Sequence, residues 1–394
     1  MLWATASGCG QDAAPELPIE PGPDGSTDVV HVDVASEVAA DSSDDALDAG
    51  PGEDADAAPE PVVVGLTPTA SASDDGAVSA TADADAILLA LSSGARALVV
   101  ERDWSELASP TAEPPTPAWH EIEQICSLLS EQRRVLFLSV KTVEATADRR
   151  PADIVGTAWN QAPTRQELHQ LVDQVYAVCG DALGYLSLGL EVDRYLDSHV
   201  SLSPPFTQFA LDASDYARTH PARPTQAAIG WTWTAGAWLV NDGMKETNAL
   251  VEASDAVMLT YTPLDASGHA AVPGNVATDL SMLADKIKTH PIVLQRAVYP
   301  SSELIGGSEA AQAQFIDALF GAVVAHRARF PFVGAGLLHD PSPEQCVAYA
   351  QAQGDPQSAE LYAAWCSVGL RDRQGAAKPA FSSFIAAAAG LLEP

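Results

Sequence analysis

From residue 61 onward the chain alternates between two hydrophobic patterns. Short apolar runs rich in β-branched residues are separated by longer stretches whose apolar residues fall three and four apart. Eight short runs occur in order: PVVVGLTP (61–68), ARALVVERDW (95–104), RVLFLSVKT (134–142), GYLSLGLEVD (184–193), AAIGWTW (227–233), DAVMLTYTP (255–263), PIVLQRAVYP (291–300) and PFVGAGLLHD (331–340). Between them, EIEQICSLLSEQ puts Ile122, Ile125, Leu128 and Leu129 on one helical face. QELHQLVDQVYAV does the same with Leu168, Leu171, Val172, Val175 and Val178, and AQFIDALFGAVVAH with Phe315, Leu319, Phe320 and Val323. The second of these predicts a helix over 165–179, with Thr164 as N-cap and Gly180 past its end. Strand and helix repeated eight times predict parallel strands joined by right-handed crossovers. Eight such units in roughly 330 residues predict a (β/α)8 TIM barrel, an α/β fold, over residues 61–394. A doubly wound open sheet is the alternative, but the segment after the first run, GLTPTASASDD, lacks GxGxxG.

In such a barrel the chemistry lies at the C-terminal ends of the strands. The second run ends in Glu101, Asp103 and Trp104, the third in Lys141, and the fourth in Glu191 and Asp193. The fifth ends in Trp231 and Trp233, the sixth in Tyr261, the seventh in Arg296 and Tyr299, and the eighth in His339 and Asp340. Carboxylates, fixed cations and aromatic rings at one rim suit a sugar, because rings stack on its apolar faces and charged groups bond its hydroxyls. Trp104, Lys141, Trp231, Trp233, Tyr261, Tyr299 and Asp340 are therefore the expected substrate-binding residues. In YLSLGLEVD, Leu186, Leu188, Leu190 and Val192 share one period-2 face, expected to pack outward on helices. Glu191 shares the other face with Tyr185, Ser187 and Gly189 and is expected to point into the barrel mouth.

The first 60 residues read differently. Residues 11–60 hold 15 Asp or Glu and no Lys or Arg; the first basic side chain is Arg96. This Asp/Ala/Pro-rich stretch cannot bury enough apolar surface to offset its ordering entropy, so a disordered acidic tether is expected. Residues 1–10, MLWATASGCG, resemble a bacterial lipobox, with small residues ahead of a cysteine, although Ala6 stands where leucine is usual. That resemblance implies a signal remnant, lipidation of Cys9 and an exported lipoprotein, anchored to a membrane in the periplasm or at the cell surface. The formal net charge of −33 argues against nucleic acid as a partner.

Several stretches resemble the clan A glycoside hydrolases, the TIM-barrel β-glycosidase-like families. YLSLGLEVDRYL resembles their strand-4 motif, which ends in Asn-Glu. LTYTPL resembles their sixth strand. VLQRAVYPSSELIGGSEAAQAQF resembles their seventh strand and the helix after it. HDPSPEQC and GLRDRQGAAKPAF resemble their closing pieces, and PADIVGTAWN the loop after strand 3. The matches run co-linearly from about residue 61 to 385. The resemblance implies that the strand-4 glutamate is the general acid/base and that a second glutamate, ending strand 7, is the nucleophile, with the carboxyls roughly 5 to 5.5 Å apart.

Glu191 matches the acid/base position. Leu190 stands where the asparagine should be, and Arg296 stands at the nucleophile position, directly after Gln295. Arginine stays protonated and cannot attack a carbon as an anion does. A salt bridge between Glu191 and Arg296 across the mouth is expected. The first functional expectation is a cell-surface glycoside-hydrolase-like barrel that binds polysaccharide or oligosaccharide as a pseudoenzyme, with its acid/nucleophile pair degraded. The alternatives are an active hydrolase pairing Glu191 with Glu101, Asp103 or Asp340, and a surface scaffold without a sugar ligand, in which the tryptophans would be packed. No cofactor or metal is expected, and a monomer is. Of the five cysteines, Cys346 and Cys366 could bridge, which suits export, whereas Cys126 and Cys179 are expected to be buried free thiols.

Overall fold

The computed structural model describes residues 61–72, 81–107, 116–241, 248–265 and 267–391. The lipobox-like start with Cys9 and the acidic stretch 11–60 lie outside them. All eight apolar runs form strands: β1 (Val63–Thr67), β2 (Ala97–Asp103), β3 (Val135–Lys141), β4 (Leu183–Ser187), β5 in two pieces (Ala228–Gly230 and Thr232–Thr234), β6 (Val257–Tyr261), β7 (Ile292–Ala297) and β8 (Phe332–His339). Every neighbouring pair is parallel, and β1 pairs with β8. The barrel is nearly closed: the ends of the strand path are the two pieces of β5, joined through Trp231. The alternative of an open sheet is thereby excluded.

Crossover helices follow in turn: α1 (Ala82–Ser92), α2 (Pro117–Gln132), α3 (Ala162–Cys179), α4 (Ser203–Thr219), α5 (Asn248–Glu252), α6 (Asn275–Lys286), α7 (Glu309–Ala325) and α8 (Pro379–Gly390). Helix α3 begins before the predicted Thr164 cap. Its N-cap is Gln161, and Pro163 occupies the first turn, where its missing N–H costs no bond. Thr164 is instead buried, its hydroxyl donating to Ala158 O. The helix ends on Gly180 as predicted. Cys126 on α2 and Cys179 on α3 are joined in a disulfide rather than free. Neither helix pattern could reveal this, because the pairing depends on how the helices lie side by side.

The strands alternate as the pattern predicts. Outward residues such as Leu98, Leu136, Leu186 and Leu294 pack under the helices in the main core, and inward residues Val99, Phe137, Met258, Val293 and Phe332 fill the barrel, with Tyr185 packed against them. Phe137, Tyr185 and Phe332 meet at ring-centroid distances of 4.7 to 5.5 Å. Gly65 makes room for this layer, since a Cβ there would stand 2.5 Å from the Phe332 ring.

A long excursion interrupts the last unit. Between β8 and a short strand, Gly369–Arg371, lie two helices, Pro343–Ala352 and Ala359–Trp365, linked by the Cys346–Cys366 disulfide. The first has a full capping box, Ser342 with Gln345, which fixes its direction as it leaves β8.

Candidate functional site at the barrel mouth

One step up each inward row, the apolar layer gives way to polar side chains: Val99 to Glu101, Phe137 to Ser139, Tyr185 to Ser187, Val293 to Gln295. All of these but Ser139 join, through Thr232, in a chain of hydrogen bonds. The Ser187 and Thr232 hydroxyls lie 2.7 Å apart, Thr232 donates to Gln295 Oε1 at 2.5 Å, and Gln295 Nε2 donates to Glu101 at 2.8 Å.

Arg296 lies above this layer. Strict alternation would turn it outward, away from Gln295. A bulge in β7, between Leu294 and Arg296 against β6, re-aims it so that both face inward. Its guanidinium is 4% exposed. One terminal nitrogen donates to both oxygens of Glu101, at 2.8 and 3.0 Å, and the other reaches Glu191 Oε1 at 3.4 Å. The expected Glu191–Arg296 bridge therefore exists, but the shorter contacts go to Glu101. Trp365 stacks over the guanidinium at 4.5 Å. Burial alone would lower the Arg296 pKa, but Glu101 and then Glu191 outweigh it and raise it, so the cation is held fast.

Glu191 is 5% exposed. Strand β4 ends at Ser187, so Glu191 is not a strand residue but the N-cap of the short helix Val192–Ser198. Its backbone is left-handed, φ 52° and ψ 47°, a conformation costly for a residue with a Cβ and frequent where a side chain must be aimed. Besides Arg296, Glu191 accepts from Thr260 at 3.1 Å and from Gln353 at 2.9 Å. Leu190 is buried and bonds through its backbone to Val143 and Ala145.

A second ionic group flanks the first. Lys141 pairs with Asp103 at 2.8 Å and Glu144 at 3.2 Å, and Arg149 pairs with the same two acids. Burial opposes both charges, but Glu144 and Asp103 outweigh it to raise Lys141, and Lys141 with Arg149 lower Glu144. Among the described residues, no cation pairs with Asp193, two residues past Glu191. It accepts from Thr234 N at 2.8 Å and from the Thr234 hydroxyl at 2.6 Å, and burial pushes its carboxyl up to about 6.

The remaining expected binding residues divide. Lys141 lines a cavity of about 540 Å³ beside Glu101, and Tyr261 lines one of about 850 Å³ beside Glu191. The Tyr261 hydroxyl donates to Asp279 at 2.7 Å. The tryptophans lie elsewhere. Trp104 and Trp231 are fully buried and Trp233 nearly so, all within the layer between barrel and helices. Trp231 donates to Ser214 on α4, and its ring presses on Gly189, where a Cβ would stand 3.0 Å away. Their bulk is spent on packing because each sits on the outward phase of its strand or just past the strand end. Tyr299 stacks on Phe315 and donates to Ala271 O. Asp340 pairs with Lys378 at 2.8 Å and accepts from Gly369 N. Tyr299 thus ties the end of β7 to α7 and to the loop after β6, and Asp340 ties the end of β8 to the short strand Gly369–Arg371 and to Lys378.

Tyr349, Gln353 and Trp365 went unread in the sequence, although all three reach the mouth. Each belongs to the excursion after β8, which has no strand pattern to set its direction. The one signal was the pair Cys346 and Cys366 bracketing it. Among the described residues, no group of three or more His, Cys, Asp or Glu side chains is placed to hold a metal.

No family model and no curated protein matches this chain. Solved structures do. A GH5_18 protein from Bifidobacterium longum superposes with a TM-score of 0.61 at 14% identity, over 85% of this chain and 80% of that one. The fold is clan A glycoside-hydrolase-like. A Streptomyces cattleya GH5_18 variant in complex with Manb1-4GlcNAc gives 0.56 at 14% identity, over 77% and 75%. A Thermotoga maritima β-glucosidase in complex with deoxynojirimycin gives 0.52 at 11%, over 76% and 84%. At such identities the likeness is one of fold.

Proposed function

We propose that this chain is a glycoside-hydrolase-like protein that binds oligosaccharide or polysaccharide at its barrel mouth without hydrolysing it. The observation that carries the reading is Arg296. It stands at the nucleophile position, buried and bonded to both carboxylates that could otherwise act as a pair, Glu101 and Glu191. The alternative second carboxylates are engaged too, Asp103 with Lys141 and Arg149, and Asp340 with Lys378. A retaining mechanism needs an anion free to attack, and an inverting one needs a carboxylate free to activate water. Sugar binding is supported by the two cavities, by the aromatic pair Tyr349 and Trp365 facing both, and by the sugar-bound Streptomyces structure of the same fold.

On this reading the chain acts as a monomer outside the cytoplasm, with Cys9 carrying the lipid and residues 11–60 serving as the tether. The two disulfides favour an oxidising compartment. The test is a glycan array read together with reducing-end release from β-linked mannan and glucan. Retention without release supports the proposal. Release that disappears in Glu191→Gln defeats it. Absence of retention, with no release, favours the scaffold reading that the packed tryptophans suit.

A further inference from the structure

We infer that the excursion after β8 divides the barrel mouth, so that the Glu191 side is a blind cavity that receives the end of a glycan chain and not its interior. This rests on the carbohydrate reading above and specifies the ligand class of that same site.

The excursion is built as a wall. Helix Pro343–Ala352 leaves β8 on one side of the mouth. Its far end is fixed at the other side, where the Thr146 backbone and hydroxyl, after β3, both donate to Ala352 O at 2.8 Å. Helix Ala359–Trp365 lies beside it, held by the Cys346–Cys366 bond and by Tyr349 stacked on Trp365, with centroids 4.2 Å apart and planes within 12°. The foot of the wall is sealed. Trp365 covers Arg296, and Gln353 bonds Glu191. Beneath it, Arg296 and Glu191 are each about one-twentieth exposed.

The cavities on the two sides share Tyr349 and Trp365 as lining. The aromatic pair is therefore the partition itself. A polymer lying across the mouth, as an internal segment must, would have to cross that stack. A chain end need not. The Glu191-side cavity, about 850 Å³, falls in the range that encloses a compact ligand. One wall is aromatic, and the opposite side carries Thr234, Thr262 and Asp265, which offer bonds to hydroxyls.

The experiment counts sites. The full chain is titrated calorimetrically with β-1,4-mannotriose and cellotriose, and then with β-1,4-mannan and carboxymethyl cellulose before and after each polymer is cut to half its mean length at constant mass. The inference expects at least one triose to bind. It also expects the matching polymer to offer twice as many sites after cutting, because sites follow chain ends. A site number that follows mass and is unchanged by cutting overturns the inference while leaving carbohydrate binding intact. No binding of any of the four probes sinks the binding reading and the inference together. In the double variant Tyr349→Ala, Trp365→Ala the wall is lowered, and the doubling on cutting should shrink toward no change. A variant that keeps the full doubling shows that the wall does not set the preference. Should that variant fail to fold, the wild-type titration decides alone.

Discussion

The lower and upper halves of the barrel interior come from the same strands, one inward step apart, yet they hold together by opposite means. Below, Phe137, Tyr185 and Phe332 fill space and need no partner chosen by charge. Above, Glu191 and Arg296 are buried and Glu101 is half-buried, and these charges are tolerable because they pair with one another. A packed layer is robust to the identity of its neighbours and sensitive to volume. A buried ionic layer is the reverse, and that difference can be measured.

The largest effects are expected from one deletion in each half. Phe332→Ala should cost about 3–5 kcal/mol in urea denaturation, through lost burial and the cavity left behind. Arg296→Met should cost a similar amount, about 3–5 kcal/mol, because two carboxylates lose their cation. Rescue separates them. Adding Glu101→Gln and Glu191→Gln should restore most of the Arg296→Met loss and none of the Phe332→Ala loss. If the triple variant stays as unstable as Arg296→Met, shape and not charge holds the mouth.

Next comes Asp193, a buried acid with no cationic partner among the described residues. Its carboxyl is raised from the ordinary 3.8 to about 6, a gap equivalent to about 3 kcal/mol. Below 3.8 it is protonated whether the chain is folded or not. Between 3.8 and about 6 only the unfolded chain releases the proton, so stability falls as pH rises through that window and stays lower above it. Asp193→Asn should remove this component and be the more stable protein at pH 7, by up to about 3 kcal/mol. Equal stability of the two proteins at pH 4 and at pH 7 would show that burial does not penalise this carboxylate.

A smaller loss, about 1–3 kcal/mol, is expected for Thr232→Val, which keeps the shape but leaves Gln295 Oε1 without its donor, while the Ser187 hydroxyl keeps its bond to Gly189 O. Trp365→Leu should cost least at the ionic site, about 1 kcal/mol from the lost stacking on Arg296. A thermal melt unchanged by Thr232→Val would mean that the polar row is not coupled to the barrel below it.

The strands were legible because each is a short apolar run whose alternation survives in the barrel. Glu191 was legible as a mouth residue for a related reason, although the chain leaves the strand at Ser187 and a left-handed turn completes the aim. The tryptophans were misplaced because position near a strand end does not say which way a ring turns. Gln353 and Trp365 were invisible because nothing local ties the excursion to the mouth.

The chain's own pattern of apolar and polar residues determined the eight strands, the helices between them, and the presence of an arginine in the seventh strand. Only the tertiary structure decided what that arginine does. By alternation alone it would face the helices. The β7 bulge turns it inward, onto Glu101 from 195 residues earlier and Glu191 from 105 residues earlier. A strand's periodicity is local and can be read along the chain. A salt bridge between β2, the turn after β4 and β7 exists only once the barrel has brought their ends together.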